Sequence, residues 1–352
     1  MSRIRSKTPR PVTMSTRKLS ALYAAMLATV SKAAMCSDPS NANYPFSLYL
    51  LGDWGATIKP ESCCYRHGFT NYDVVAEDVP CKNAEELLQA LENKFLWQRD
   101  YVSPNDNRWI LKDRFFVYRI EDAVTGVSVA IYTVDTNDAD VHGAHLICCQ
   151  CNGYSNNTGD CNNVARGDKF CCGGDTAMYD ACMAKFTEWA DDSRAQLAEQ
   201  VKQDPATWKI VTTHYSAYLH YFKEGMLKWF DVLRDSGVQV WVNGHTHAAQ
   251  HDYSETLKIH WLLSGNGGGI LPDPPSPIPD YAASYVQSIW GYGNNEYGFM
   301  SLQASTEWLK LQYHTADSAW VFGKDLQTTK VGGVATKHCW YIPVDGTQGR
   351  QC

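Results

Sequence analysis

At 352 residues, with 44% hydrophobic, 12% aromatic and 20% charged side chains, the chain has the composition of a folded globular protein and not of a disordered one. That length suits one large α/β domain with a sizeable core. A formal net charge of −7 argues against partners that are nucleic acids or anionic membranes.

In chain order, the first segment reads as separate from the fold. A short basic stretch at 14–18 precedes the apolar residues 19–30, and Ser31-Lys32-Ala33 then offers the small residues a signal peptidase reads. Residues 1–33 are therefore expected to be a basic N-terminus plus signal peptide, with Met14 as the expected start, too short an apolar run to span a membrane. They carry seven Lys and Arg and no acids, so the remainder has 24 basic and 38 acidic residues, a formal −14. That sharpens the exclusion of nucleic acid, and the absence of a further long apolar stretch argues against a membrane span.

Residues 46–51 (FSLYLL) read as a buried strand running into Gly52-Asp53-Trp54-Gly55. Leu87, Leu88, Leu91 and Phe95 recur at helical spacing and predict a helix over 83–97, followed by strands at 115–120 and 127–134 with a turn at 121–126. Seven of the 13 cysteines fall between Cys148 and Cys182, without histidines at zinc-finger spacing. In a secretory context they predict a disulfide-stapled, loop-rich insertion at 148–182, with a glycosylation sequon at Asn156. A long amphipathic helix is expected at 176–203, a strand at 208–212 leading to Thr213-His214, and a helix at 225–235 stopped by Gly237. A strand at 238–242 runs into Asn243-Gly244-His245-Thr246-His247, and later strands are expected at 259–263, 298–303 and 309–313. Strands alternating with helices, then strands alone, predict a layered α/β fold over 45–315, with 316–352 as a tail wrapping it.

Several of these strands end in a metal-ligand type of residue set in a polar or Gly-containing turn. Loops at the carboxyl ends of strands form the site in open α/β sheets, so Asp53, His214, His245 and His247 are expected to converge in one crevice. A carboxylate and three imidazoles suit Zn, Fe or Mn. Any one of these signals alone has an ordinary structural explanation, an Asx-turn for Asp53 or a carbonyl-bonded imidazole for His214. Their joint occurrence, each at a predicted strand end, is what points to a site.

GDWG (52–55), VTTHYSAY (211–218) and VNGHTH (242–247) together resemble the calcineurin-like metallophosphoesterases, and within them the secreted purple acid phosphatases. The resemblance covers most of 45–315 and extends to WQRDYVSPNDNRW (97–109), VDTND (134–138) and SGNGGG (264–269). It implies an α/β/β/α fold of two packed mixed sheets flanked by helices. It also implies a dinuclear centre, with a ferric ion on Asp53 and His247 and a Zn, Mn or Fe ion on His214 and His245. The implied reaction is acid hydrolysis of a small phosphorylated substrate, a phosphate monoester, by a metal-activated hydroxide. His220, six residues after His214, is the candidate proton donor to the leaving group.

Two further family motifs are absent. Residues 56–134 contain neither Gly-Asp-x-x-Tyr, which supplies the metal-bridging Asp and a Tyr ligand, nor Gly-Asn-His, which supplies an Asn ligand and a catalytic His. The residues before Val79 resemble the helix after the first motif, while Pro80-Cys81-Lys82-Asn83 already resemble a point beyond the Asn-His motif. A segment of several tens of residues is therefore lacking at Val79/Pro80, and about half the ligands with it. Asp73, Asp78, Asp135 and Asp138 are the carboxylates available as substitutes, and Cys81 is the cysteine expected to lose its partner in the gap. The alternatives to a phosphomonoesterase are a phosphodiesterase of the same superfamily and a secreted non-catalytic relative that binds a ligand or partner. Sequencing the transcript across codons 75–85 separates a truncated reading frame from a true loss: extra sequence encoding both motifs is the expected result, and a direct junction makes the loss genuine.

Overall fold

The computed structural model describes residues 37–51, 81–102, 109–150, 164–169, 171–268, 273–294, 296–321, 323 and 327–352. The signal-peptide segment, Asp53 and its GDWG turn, Asp73, Asp78, the Val79/Pro80 junction and Asn156 lie outside them. The chain divides into the units Met1–Asp38 and Pro39–Cys352, and the architecture belongs to the second.

Twelve strands form two sheets among the described residues. The larger has seven: β2 (Phe116–Glu121), β3 (Ser128–Thr133), β4 (Trp208–Thr212), β5 (Val240–Asn243), β6 (Ala249–Ser254), β7 (Ile259–Ser264) and β8 (Gln287–Tyr292), in the order β2-β3-β4-β5-β7-β6-β8. Within it β3, β4, β5 and β7 run parallel, while β2, β6 and β8 are antiparallel to their neighbours. The smaller contains β1 (Phe46–Leu50), β9 (Gly298–Ala304), β10 (Trp308–Ala316), β11 (Val334–Pro343) and β12 (Arg350–Gln351), antiparallel throughout and not mixed as expected. Helices α1 (Ala84–Arg99), α2 (Ala144–Gln150), α3 (Thr176–Val201) and α4 (Lys223–Leu233) complete the described elements.

Alternation along the strands explains the layers, because successive side chains point to opposite faces. Val129, Ile210, Val240 and Leu262 pack against Met300, Leu302, Leu309, Leu311 and Ile342 of the smaller sheet. Their chain neighbours Ala130, Val211, Trp241 and Trp261 face the other way, against Leu197 of α3 and Met226, Trp229 and Phe230 of α4. The indole N–H of Trp208 donates to Ser305 O at 2.7 Å and ties the two sheets together. Helices α1 and α2 pack on α3 in a third cluster that holds the disulfides Cys148–Cys182 and Cys149–Cys171, with Cys81 and Cys172 buried beside them. Truncating one of the fully buried tryptophans would cost about 3–5 kcal/mol. A solvent-screened ion pair such as Arg166–Asp180 contributes little beside that, so the sheet interfaces dominate stability.

Capping fixes the starts of two helices. Asn83 Oδ1 accepts from Glu86 N at 2.9 Å ahead of α1, and Asp175 Oδ1 accepts from Ala177 N and Met178 N ahead of α3. The chain leaves α4 through Gly237, whose φ of +75° suits a residue without Cβ.

Two sequence expectations change. FSLYLL is not a buried strand: among the described residues β1 pairs with β9, Tyr49 is 71% exposed, and it is Phe46, Leu48 and Leu50 that pack on the core. The segment expected as a wrapping tail is woven into the fold, since β11 pairs along all of β10 and Cys339 bonds Cys352 across the β11–β12 hairpin.

That C-terminal segment also closes a buried chain of imidazoles. His260 Nε2 lies 3.1 Å from Thr347 O, which can only accept, so the proton sits on Nε2. His260 Nδ1 then accepts from His251 Nε2 at 2.8 Å, and His251 Nδ1 accepts from His338 Nε2 at 3.0 Å. His338 stacks on Trp290 with ring centroids 4.5 Å apart. Burial keeps all three neutral, pulling His260 and His338 down to about 4 and His251 well below its ordinary value. Their folded pKa values lie below the unfolded value, so the stability they contribute is complete above about pH 6.5 and is lost as pH falls from there toward about 4. Urea unfolding should therefore lose on the order of 2 kcal/mol between neutral and mildly acidic pH. His338→Gln keeps a donor but removes one titrating ring, so its pH profile should be flatter; a profile identical to the parent's would exclude the triad as its source.

Candidate functional site

Parallel pairing brings the carboxyl ends of β3, β4, β5 and β7 to one edge of the large sheet. The ladder continues into the loops: Val134 N donates to Thr212 O, Thr213 N to Val242 O, and Gly244 N to His214 O at 3.1 Å. These bonds place the residues just beyond β4 and β5 side by side, as the strand-end argument expects.

His214 Nε2 and His245 Nδ1 meet at 3.1 Å. The far nitrogen of His245, Nε2, lies 3.1 Å from Nδ1 of His142, a residue the sequence reading did not single out. His142 follows β3 in the loop that carries VDTND, and its one sequence signal is the adjacent Gly143, where a Cβ would stand 2.2 Å from Ala139 O. Both His142 (φ 62°) and His245 (φ 70°) adopt the left-handed conformation. For a residue with a Cβ this costs about 1–3 kcal/mol each and persists only where surrounding contacts enforce it.

Tyr215 supplies much of that enforcement. It is fully buried, and its ring contacts those of His214, His245 and His220 at centroid distances of 4.7, 4.6 and 5.5 Å. Its hydroxyl donates to His142 O at 2.7 Å, and its backbone N–H donates to Thr136 Oγ1 at 3.1 Å. One side chain thus braces four histidines from three loops.

His220 is 4% exposed. Its Nδ1 accepts from Ser216 N at 3.0 Å, which leaves the proton on Nε2, 3.3 Å from Thr246 Oγ1. Burial, then the neighbouring His214 and His142, pull its pKa down to about 3. In this geometry His220 is a neutral ring with both nitrogens in contact with neighbouring groups. His247 contacts Asp273, with Nδ1 3.2 Å from Asp273 Oδ2 and its carbonyl accepting from Asp273 N at 2.7 Å.

Of the four candidate substitute carboxylates, the two among the described residues, Asp135 and Asp138, are engaged in the fold. Asp135 Oδ1 accepts from Asn137 N at 2.8 Å and Asn137 Nδ2 at 3.0 Å, and burial pushes its carboxyl up to about 6. Asp138 pairs with Arg194 at 3.0 Å and accepts from the Tyr221 hydroxyl.

Two imidazole nitrogens bound to one ion at ~2.05 Å in a tetrahedral shell lie roughly 3.3 Å apart. The His214–His245 spacing of 3.1 Å is close to that, so the pair fits two ligands of a single ion. Among the described residues no group of three or more His, Cys, Asp or Glu is disposed to hold an ion.

The division of labour within Tyr215 is measurable. Tyr215→Phe removes the bond to His142 O and should cost about 1 kcal/mol in urea unfolding. Tyr215→Ala removes the brace itself and should cost about 3–5 kcal/mol. Equal losses in the two variants would refute the ring as the principal brace.

Residues 136–249 match the calcineurin-like phosphoesterase family. Over 86 residues, 23% of this chain, it is 31% identical to purple acid phosphatase 17 of Arabidopsis thaliana, and it spans about a quarter (25%) of that relative's length. Among solved structures it is similar to GAP50, the anchor in the inner membrane complex of Plasmodium (TM-score 0.46, 14% identity, 84% of this chain and 91% of that one). PhoD is similar at a TM-score of 0.39 and 9% identity, over 78% of this chain and 51% of that one. Purple acid phosphatase PPD1 from yellow lupin (Lupinus luteus) seeds is similar at 0.30 and 15% identity, over 68% and 34%. The matched segment 136–249 contains His142, His214, His220, His245 and His247, so the residues gathered at the strand ends lie within the part of the chain that is similar to the calcineurin-like phosphoesterases.

Proposed function

We propose that this chain acts on small phosphorylated molecules as a metal-dependent phosphoric monoester hydrolase of acid phosphatase type, in a secreted compartment. The observation that carries the reading is the meeting of His214 Nε2 and His245 Nδ1 at 3.1 Å, beyond two adjacent parallel strands of the phosphoesterase segment. These two nitrogens would hold a divalent ion (Zn, Mn or Fe), and by resemblance Asp53 and His247 would hold the ferric ion. A bound ion of this kind supplies Lewis-acid polarisation of phosphoryl oxygens. What the described residues contribute is orientation: Tyr215 and His220 fix the two rings from behind, and the parallel strands fix their backbones. The disulfides Cys148–Cys182, Cys149–Cys171 and Cys339–Cys352 favour an oxidising compartment, which agrees with the secretory pattern of the first 33 residues.

A second reading, a secreted non-catalytic relative that binds a ligand or partner, is favoured by one observation. Asp135 and Asp138 are engaged elsewhere, and neither the Gly-Asp-x-x-Tyr nor the Gly-Asn-His motif is present at 56–134. Two protein ligands fall short of the three that catalytic zinc sites keep.

The readings part on one assay. The purified chain, supplied with Fe, Zn or Mn, should hydrolyse an aryl phosphate at mildly acidic pH, and His245→Ala should reduce turnover by about 100-fold or more. A folded chain that binds no ion and releases no phosphate would leave the non-catalytic reading standing.

A further inference from the structure

The His142–His245 contact is not accounted for by the proposed ligand set. Tautomer logic gives it a role. If His245 is to offer Nδ1 as a lone pair toward His214 Nε2, its proton must sit on Nε2. That proton then points at His142 Nδ1, 3.1 Å away, which must accept it. In the opposite arrangement His142 donates from Nδ1 and His245 carries its proton on Nδ1, directed at His214. Both His245 nitrogens are then blocked toward a cation.

Resting on the reading of His214 and His245 as ion ligands, we propose that His142 is a positioning residue that holds His245 in the Nε2–H tautomer and thereby keeps the Nδ1 lone pair of His245 available to a divalent cation that displaces the His214 proton. The backbone around His142 is built to aim its ring. Its φ is +62°, its carbonyl accepts from the Tyr215 hydroxyl at 2.7 Å, and the preceding Val141 N donates to His220 O at 2.9 Å. The following Gly143 approaches Ala139 O so closely that no Cβ would fit. These restraints come from the loops after β3 and β4 and converge on one imidazole. Metal-ligating histidines generally use the second ring nitrogen to bond an orienting partner, and losing that partner typically costs 10–100-fold in affinity.

Two measurements on the full-length chain test this. In the first, nitrogen NMR of the ion-free protein reports the tautomer of His245. Protonation at Nε2 in the parent, and a mixture or Nδ1 protonation in His142→Ala, is expected; Nδ1 protonation in the parent overturns the proposal. In the second, Zn2+ binding is titrated calorimetrically. His142→Ala should weaken binding 10–100-fold. His142→Gln, whose side-chain oxygen can still accept from His245 Nε2, should recover most of it. Binding to His142→Ala as tight as to the parent also overturns the proposal. A parent chain that binds no Zn2+ would defeat the ligand reading of His214 and His245 instead, while the ion-free NMR result would still decide the role of His142. If His142→Ala does not fold, the tautomer of the parent and the behaviour of His142→Gln carry the decision.

Discussion

Four parallel strands set the terms for everything at the candidate site. In β3, β4, β5 and β7 every carboxyl end falls on the same edge, so backbone groups there lose their in-sheet partners together. The loops satisfy some of them by extending the ladder, through Val134, Thr213 and Gly244. That continuation brings the backbones of His214 and His245 side by side before any side-chain contact forms. The imidazole cluster is therefore a consequence of strand polarity, and Tyr215 works on a geometry the sheet has already narrowed.

The same principle shows which parts were legible in the sequence. His214 and His245 were readable because each lies within two residues of a strand whose hydrophobic run is unambiguous, WKIVT or VWVN. His142 was not, because it lies nine residues past β3 and reaches the site only through a left-handed turn, the close approach of Gly143 to Ala139, and a hydrogen bond from Tyr215. The Tyr215 bond spans 73 residues, and the two local features leave no hydrophobic period in the chain pattern. Strand β6 escaped for a different reason. Its sequence AQHDYS looks like a polar loop, yet all six residues are buried, because His251 joins the triad and Asp252 accepts from Tyr218 and Gln250. Polar burial of this kind depends on partners supplied from distant strands.

Hydrophobic reading also misjudged β1 and the C-terminal segment in opposite directions. FSLYLL was read as fully buried from its apolar run, but an edge strand of an outer sheet has one face to bury, and Tyr49 lies on the other. Residues 334–343 lack a strong apolar run, with Lys337, His338 and Thr336 among them, and so were left in a tail. Their pairing with β10 and the stacking of His338 on Trp290 make them structural. The helices expected at 83–97 and 176–203 lie close to those observed because caps and the 3.6-residue period are both local signals.

Electrostatics explains why the site reads as half-built from the described residues alone. The imidazoles around His245 are comfortable when neutral, since both of its ring nitrogens meet a nitrogen of His214 or His142. Introducing a divalent cation replaces a hydrogen bond with two lone-pair contacts and leaves the ion's charge uncompensated unless a carboxylate joins. Asp135 and Asp138 cannot join without leaving Asn137 and Arg194. The remaining route is the chain after β1. Leu50 O accepts from Ser264 Oγ at 3.0 Å, which ties the end of β1 to the end of β7, on the edge where the histidines stand. Asp53 follows three residues later in the sequence. The carboxyl end of β1 is thus held at the same edge as the histidines, whose spacing is already close to what one ion requires.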